Sequence, residues 1–178
     1  MKNAIILTAA FMAAAMGGFS TLRADENHDH MTPYIGSKDF QRMKSLVGQW
    51  EGSSTEGKPG DKVAVNYRLT SGGSAIVETI MPGTPHEMVT VYHDEKGKLA
   101  MTHYCTMGNQ PHMQLTKATD NELDFELAKG GSVDGAKDAH MHSLDISFEE
   151  PNKVVEKWSM YDGGQKKHET VFSLARVQ

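Results

Sequence analysis

The chain has 178 residues, with 23 acidic against 18 basic side chains, nine histidines and one cysteine, for a formal net charge of −5. An acidic balance with interspersed charges excludes a phosphate-backbone interface, so nucleic acid is not an expected partner. The single thiol, Cys105, excludes an internal disulfide, and packing must hold the fold together without a covalent staple.

In chain order, Lys2 precedes an uncharged run, AIILTAAFMAAAMGGF, from Ala4 to Phe19. The pattern is that of a signal peptide, and the run falls short of the roughly 20 apolar residues that a spanning helix needs. Small residues place cleavage after Ser20 or after Ala24, and we assign 1–24 to the signal. Cleavage after Ala24 takes Lys2 and Arg23 from the 18 basic residues and none of the 23 acids, which deepens the net charge from −5 to −7. No cysteine near the run offers a lipid attachment point. The expectation is a periplasmic or secreted protein with no membrane anchor. Residues 25–36 are polar, contain Pro33, and read as a flexible lead-in. The DENHDH within it is a disordered tail, with loose metal binding as the alternative reading. Residues 37–178 form one domain, long enough to bury a real core.

That domain opens with SKDFQRMKSLVG. Ser37 caps a short helix, Asp39 suits its first turn, Phe40, Met43 and Val47 repeat at helical spacing, and Gly48 ends it. Everything after Gly48 alternates with period two between turn residues. In KVAVNYRLT, Val63, Val65, Tyr67 and Leu69 share one face. SAIVETIM, HEMVTVYH, KLAMTHYCT, PHMQLTK, ELDFELA, HMHSLDISF, VVEKWSMY and QKKHETVFSLARV follow, and the Gly-rich KGGSVDGAKD is the longest loop. With the segment around Trp50 this makes about ten strands, a mainly β chain. An antiparallel up-and-down barrel is the expected architecture because closure removes both sheet edges. No βαβ alternation or phosphate-binding glycine loop supports a doubly wound nucleotide fold.

SLVGQWEG, with Gly48 and Trp50 where the helix meets the first strand, resembles the Gly-x-Trp opening of the calycin superfamily, which includes lipocalins, fatty-acid-binding proteins and haem-binding nitrobindins. Arg176, in the terminal VFSLARV, is similar to the basic residue that in lipocalin-like barrels packs near that tryptophan. The chain also resembles a group of exported bacterial proteins with similar THYC and GNQP segments. The resemblance implies an interior cavity for a small apolar or amphipathic ligand.

The soft and polar side chains supply the candidate site. Alternation along KLAMTHYCT puts Leu99, Met101, His103 and Cys105 on one face and Ala100, Thr102, Tyr104 and Thr106 on the other. In HMHSLDISF, the apolar Leu144, Ile146 and Phe148 carry His140 and His142 onto the inner face. Histidines two apart on a strand stand about 7 Å from each other, so His103, Cys105, His140 and His142 form a metal-ligand set suited to zinc or copper. The alternative for the same residues is packing and ligand lining, with Cys105 an inert buried thiol. No cofactor is favoured among haem, zinc, copper or none. A blue-copper site is disfavoured, since His112 and Met113 are adjacent and face opposite ways. The nitrobindin resemblance implies haem held by one histidine near the cavity mouth, with His168 and His142 as candidates; WEGSSTEG matches the glycine-rich opening of those proteins only in part. Catalysis by Cys105 or a histidine requires a base within reach, and Glu78, Glu87 and Glu156 are scattered on different strands, where most read as solvated. GNQP forms a turn at Gly108 and Pro111 whose Asn109 and Gln110 amides stand at the barrel rim, where His86 joins them. The expected ligand-binding set is His103, Tyr104, Cys105, Asn109, Gln110, His142 and Trp158. A small molecule is the expected partner, and nothing in the sequence specifies an oligomeric state.

Overall fold

The structure is a computed structural model that describes residues 32–56, 58 and 61–178. The expected signal peptide and most of the lead-in, including DENHDH, lie outside the described residues. The helix α1 spans Lys38–Lys44, and its N-cap is Ser37, whose hydroxyl accepts from the Phe40 amide at 3.1 Å. Ten strands follow: β1 (Gly48–Ser54), β2 (Lys62–Thr70), β3 (Ala75–Ile80), β4 (Met88–Glu95), β5 (Lys98–Tyr104), β6 (His112–Ala118), β7 (Glu122–Leu127), β8 (His140–Glu150), β9 (Lys153–Asp162) and β10 (Gln165–Arg176). Each pairs antiparallel with the next, and β10 pairs with β1 to close the barrel. The up-and-down barrel expected from the period-two pattern is therefore the observed fold.

One end of the barrel is solid. Phe40 and Met43 of α1 and Leu46 just beyond it pack into this end with Trp50, Leu99, Leu123 and Leu174. The helical stripe differs from expectation in one place. Val47 is 37 % exposed, while Leu46 takes the buried position, because α1 stops at Lys44 and the turn that follows no longer keeps helical spacing. Each fully buried large side chain here contributes on the order of 2 kcal/mol relative to exposure. Trp50 donates its indole N–H to Leu46 O at 2.7 Å, and the Arg176 guanidinium lies 4.4 Å above the Trp50 ring. Arg176 also donates to Val47 O at 2.8 Å and Ser45 O at 2.6 Å, tying the last strand to the plug. This close approach explains Gly48: its φ is +137°, and a Cβ there would stand 2.6 Å from Arg176 Nη1. The last residues of the lead-in are tied down as well. Tyr34 stacks edge-on against Phe40 and donates its hydroxyl to Asp94 at 3.0 Å.

The other end is hollow, and the register of the strands decides what faces it. Inner-row neighbours run Ile80 to Met88 across β3 and β4, Glu78 to Thr90 on the same pair, and Thr90 to His103 across β4 and β5. On β8 a register shift between Met141 and Ser143 inserts one extra residue opposite β9. A bulge of this kind reverses the parity of the strand beyond it.

Candidate functional site

The hollow end holds a cavity of about 410 Å3. Ile80, Met81 and Met88 line it from β3, β4 and their connection, His103 and Cys105 from the end of β5, Met107 from the following turn, Met141, Trp158 and Met160 from β8 and β9, and His168, Thr170 and Phe172 from β10. Five of the wall residues are methionines, whose unbranched, polarisable side chains adapt to the shape of an occupant. At the rim His168 bonds to the Glu56 carboxylate. A larger, more polar pocket of about 600 Å3 adjoins it, where His86, Asp61 and Lys62 meet Glu56 and Met81.

Beneath this apolar wall lies the part of the site that the sequence pattern did not single out. Glu78 and Glu156, expected to be solvated on separate strands, are both completely buried and meet across the barrel. The Tyr67 hydroxyl lies 3.1 Å from Glu78 Oε1 and 2.5 Å from Glu156 Oε1. Tyr92 donates to Glu78 Oε2 at 2.8 Å, and the Trp158 indole donates to Glu156 Oε2 at 3.3 Å. A hydroxyl has one hydrogen, so the Tyr67 oxygen cannot donate to both carboxyls, and at least one further hydrogen must sit on the carboxyl pair. Burial raises the proton affinity of both acids, Glu78 well above the usual carboxylate range, and the charge of Glu156 adds to the effect at Glu78. The two behave as one coupled unit. The same burial and the neighbouring carboxyls push the Tyr67 and Tyr92 hydroxyls well up.

His103 joins this cluster to the cavity. Its Nδ1 lies 3.0 Å from Thr90 Oγ1, and its ring packs on Trp158 with centroids 4.6 Å apart. Burial lowers its pKa to about 4, so the imidazole is neutral at physiological pH. Cys105 lines the cavity just past the end of β5, held in the turn by its backbone N–H, which donates to Asn109 O at 3.1 Å. Its sulfur has no hydrogen-bond partner among the described residues, and no base stands ready to activate it.

The remaining expected site residues go elsewhere. Tyr104 points outward and is 49 % exposed. Asn109 donates to Ala139 O at 2.7 Å and Gln110 to Gly108 O at 3.3 Å; both serve the turn and neither lines the cavity. The β8 bulge overturns the expected inward placement of His140 and His142: Met141 takes the inner row, and the two histidines lie on the outer side. There His140 donates from Nδ1 to Asp138 O at 2.7 Å, its Nε2 lies 3.0 Å from His142 Nδ1, and His142 stacks on Tyr161 at 4.0 Å. The interior thus gathers His103 and Cys105 from the four-residue metal set and separates them from the other two. Among the described residues, no three His, Cys, Asp or Glu side chains converge on one metal position. The two haem candidates fit no better, since His142 faces away from the cavity and His168 is paired with Glu56 at the rim.

No family model matches the sequence, and no curated protein is significantly similar to it. Several solved structures match the fold. One, the crystal structure of Rv2717c from M. tuberculosis, aligns with a TM-score of 0.54 at 15 % identity, over 81 % of this chain and 100 % of that chain. At that identity the likeness concerns the fold alone.

Proposed function

We propose that this protein is an exported, lipocalin-like binding barrel that takes a small, mainly apolar molecule in the methionine-lined cavity. One observation carries the reading: the closed barrel is filled at the helix end and open at the other, where a cavity of about 410 Å3 has apolar walls and a few convergent polar groups. Small-molecule sites fall at about 300–1,000 Å3 with this kind of lining. The Ala4–Phe19 run supports export, and the Trp50–Arg176 stack supports the calycin likeness. An enzymatic reading has less behind it, because the thiol lacks a base and the carboxyl pair lies beneath the cavity wall.

Titration of protein labelled at the methionine methyl carbons with octan-1-ol tests this reading. Saturable shifts are expected for Met81, Met88, Met107, Met141 and Met160, while Met43, Met101 and Met113, buried in the filled part of the barrel, stay put. Absent or uniformly scattered shifts would overturn it. Mass spectrometry of extracts from the protein isolated in its exported form then identifies the natural occupant.

A further inference from the structure

Two soft donors in the cavity wall lack a partner. His103 is 1 % exposed, and its Nδ1 is held 3.0 Å from Thr90 Oγ1. Its Nε2 has no hydrogen-bond partner among the described residues, although the ring lines the cavity. Cys105, two residues on, lines the same cavity with a free thiol whose sulfur is likewise unpartnered. Across β4 and β5, Thr90 pairs with His103 and Val89 with Tyr104, and the same register carried one residue further sets Met88 beside Cys105. Opposed residues on neighbouring strands stand about 5 Å apart at Cβ, and residues two apart on one strand about 7 Å. The Met88 side chain reaches the turn that holds the thiol, since the Thr106 hydroxyl donates to its sulfur at 3.8 Å. One imidazole, one thiol and one thioether thus border the same space from adjoining strands.

We propose that this corner of the cavity binds one soft monovalent metal ion, copper(I), between the Cys105 thiolate, the Met88 thioether and Nε2 of His103. The proposal adds a second ligand to the cavity and does not depend on the apolar one. Softness and charge select the ion. Thiolate and thioether donors suit copper(I). Zinc takes four ligands, and among the described residues no three His, Cys, Asp or Glu side chains meet at one position. On binding, the Cys105 S–H bond breaks, an S–Cu bond forms and the proton leaves to solvent, with no change in oxidation state. The ion and the thiolate together are neutral, which an apolar wall tolerates, whereas a divalent ion would leave a buried net charge. The other ionisable groups of the lining, Glu56 and His168, are bonded to each other at the rim. The Thr90 contact serves either tautomer of His103, because a hydroxyl both donates and accepts. A metal on Nε2 selects the tautomer whose Nδ1–H donates to Thr90, which makes Thr90 a positioning residue.

The test titrates the protein anaerobically with copper(I) in competition with the chelator bicinchoninate. Silver(I), of the same charge, repeats the titration in spectra of protein labelled at the methionine methyls and histidine nitrogens. The expected result is one equivalent bound, a thiolate-to-copper absorption band in the ultraviolet, and a proton on Nδ1 of His103 in the loaded protein. The Met88 methyl should shift saturably while Met43, Met101 and Met113, in the filled part of the barrel, stay put. Thr90→Val should weaken binding by about ten- to a hundredfold and Thr90→Ser should restore it, while Cys105→Ser and Met88→Leu should each weaken binding at least as much as Thr90→Val. Urea midpoints show which variants are folded, and where one is not, the spectra of the unmodified protein decide. No binding in competition with the chelator, or binding unchanged in Cys105→Ser, as the histidines of DENHDH would give, would overturn the proposal. Protein that takes octan-1-ol but no copper(I) would overturn this proposal alone, and protein that takes copper(I) but no octan-1-ol would overturn the apolar-ligand reading alone.

Discussion

Replacing Glu156 with glutamine supplies permanently the hydrogen that the buried carboxyl pair otherwise takes from solvent. In Glu156→Gln the amide N–H donates to the Tyr67 oxygen, the amide oxygen accepts the Trp158 N–H, and the Tyr67 hydrogen turns wholly to Glu78, so no polar group is orphaned. The consequence is a change in how stability depends on pH. Both acids have folded pKa values raised above the ordinary 4.5, so above that pH the folded state binds more protons than the unfolded chain. Their contribution is present at low pH and is lost as pH rises through the folded values, at about 1.4 kcal/mol per pH unit for one proton. His103 works in the opposite direction. Its pKa falls from 6.5 to about 4 on folding, so its contribution is present above 6.5 and is lost as pH falls toward 4, by up to about 3 kcal/mol. Between pH 4.5 and 6.5 the two slopes oppose each other and the wild type should be nearly flat. Above 6.5 the carboxyl pair acts alone. Urea unfolding across this range is the assay. The wild type is expected to lose stability with rising pH above 6.5 until the pair has released its proton, at about 1.4 kcal/mol per pH unit over that interval. Glu156→Gln removes one of the two acids and its charge at Glu78, while the burial of Glu78 remains, so its fall should be smaller than that of the wild type and it should weaken more on the acid side, where His103 is less offset. Parallel profiles for the two proteins would refute the shared-proton account.

Three further substitutions probe the frame and the limits of the site. Ser37→Ala removes the N-cap acceptor and the 2.7 Å bond to Asp94 and should cost about 1 to 2 kcal/mol in urea unfolding; an unchanged midpoint would mean that the plug needs no cap. Arg176→Met loses the Trp50 stack and both carbonyl bonds and should cost about 2 kcal/mol, with a shift in Trp50 emission as the local signature. Tyr104→Ala should change stability by less than about 0.5 kcal/mol and leave octan-1-ol affinity untouched, and a loss of binding there would place the cavity wrongly.

The barrel was legible because half-buried strands write their inner face into alternate residues. KVAVNYRLT marks β2 from Lys62 to Thr70 with no error at either end, and the same alternation placed His103 and Cys105 inward. Parity also carried the carboxyl pair: Glu78 shares its row with Ile76 and Ile80, and Glu156 with Val154 and Trp158, all buried. Residue type hides what parity shows, since a glutamate on a strand ordinarily faces water. Other features had no local signal. The bulge that turns His140 and His142 outward carries no glycine or proline within MHS, and it appears only in the pairing of β8 with β9. The division of the interior into a filled half and a hollow half depends on summed side-chain volume across ten strands, which no single strand records.

The pH dependence of binding should differ from that of folding, and the contrast isolates the role of His103. His103 stands in the cavity wall as a neutral imidazole and protonates only near pH 4, so above that pH a neutral ligand meets no new charge from it. Protonation of the carboxyl pair changes the charge beneath the floor, but a neutral ligand feels that charge weakly, whereas octanoate feels it in full. The affinity for octan-1-ol is therefore expected to stay level from pH 8 down to pH 5, across a range in which the stability of the folded protein varies. Calorimetric titration at several pH values measures it directly. A fall in alcohol affinity centred near 6.5 would mean that the bound imidazole titrates as if exposed to water, which contradicts its burial between Trp158 and Thr90.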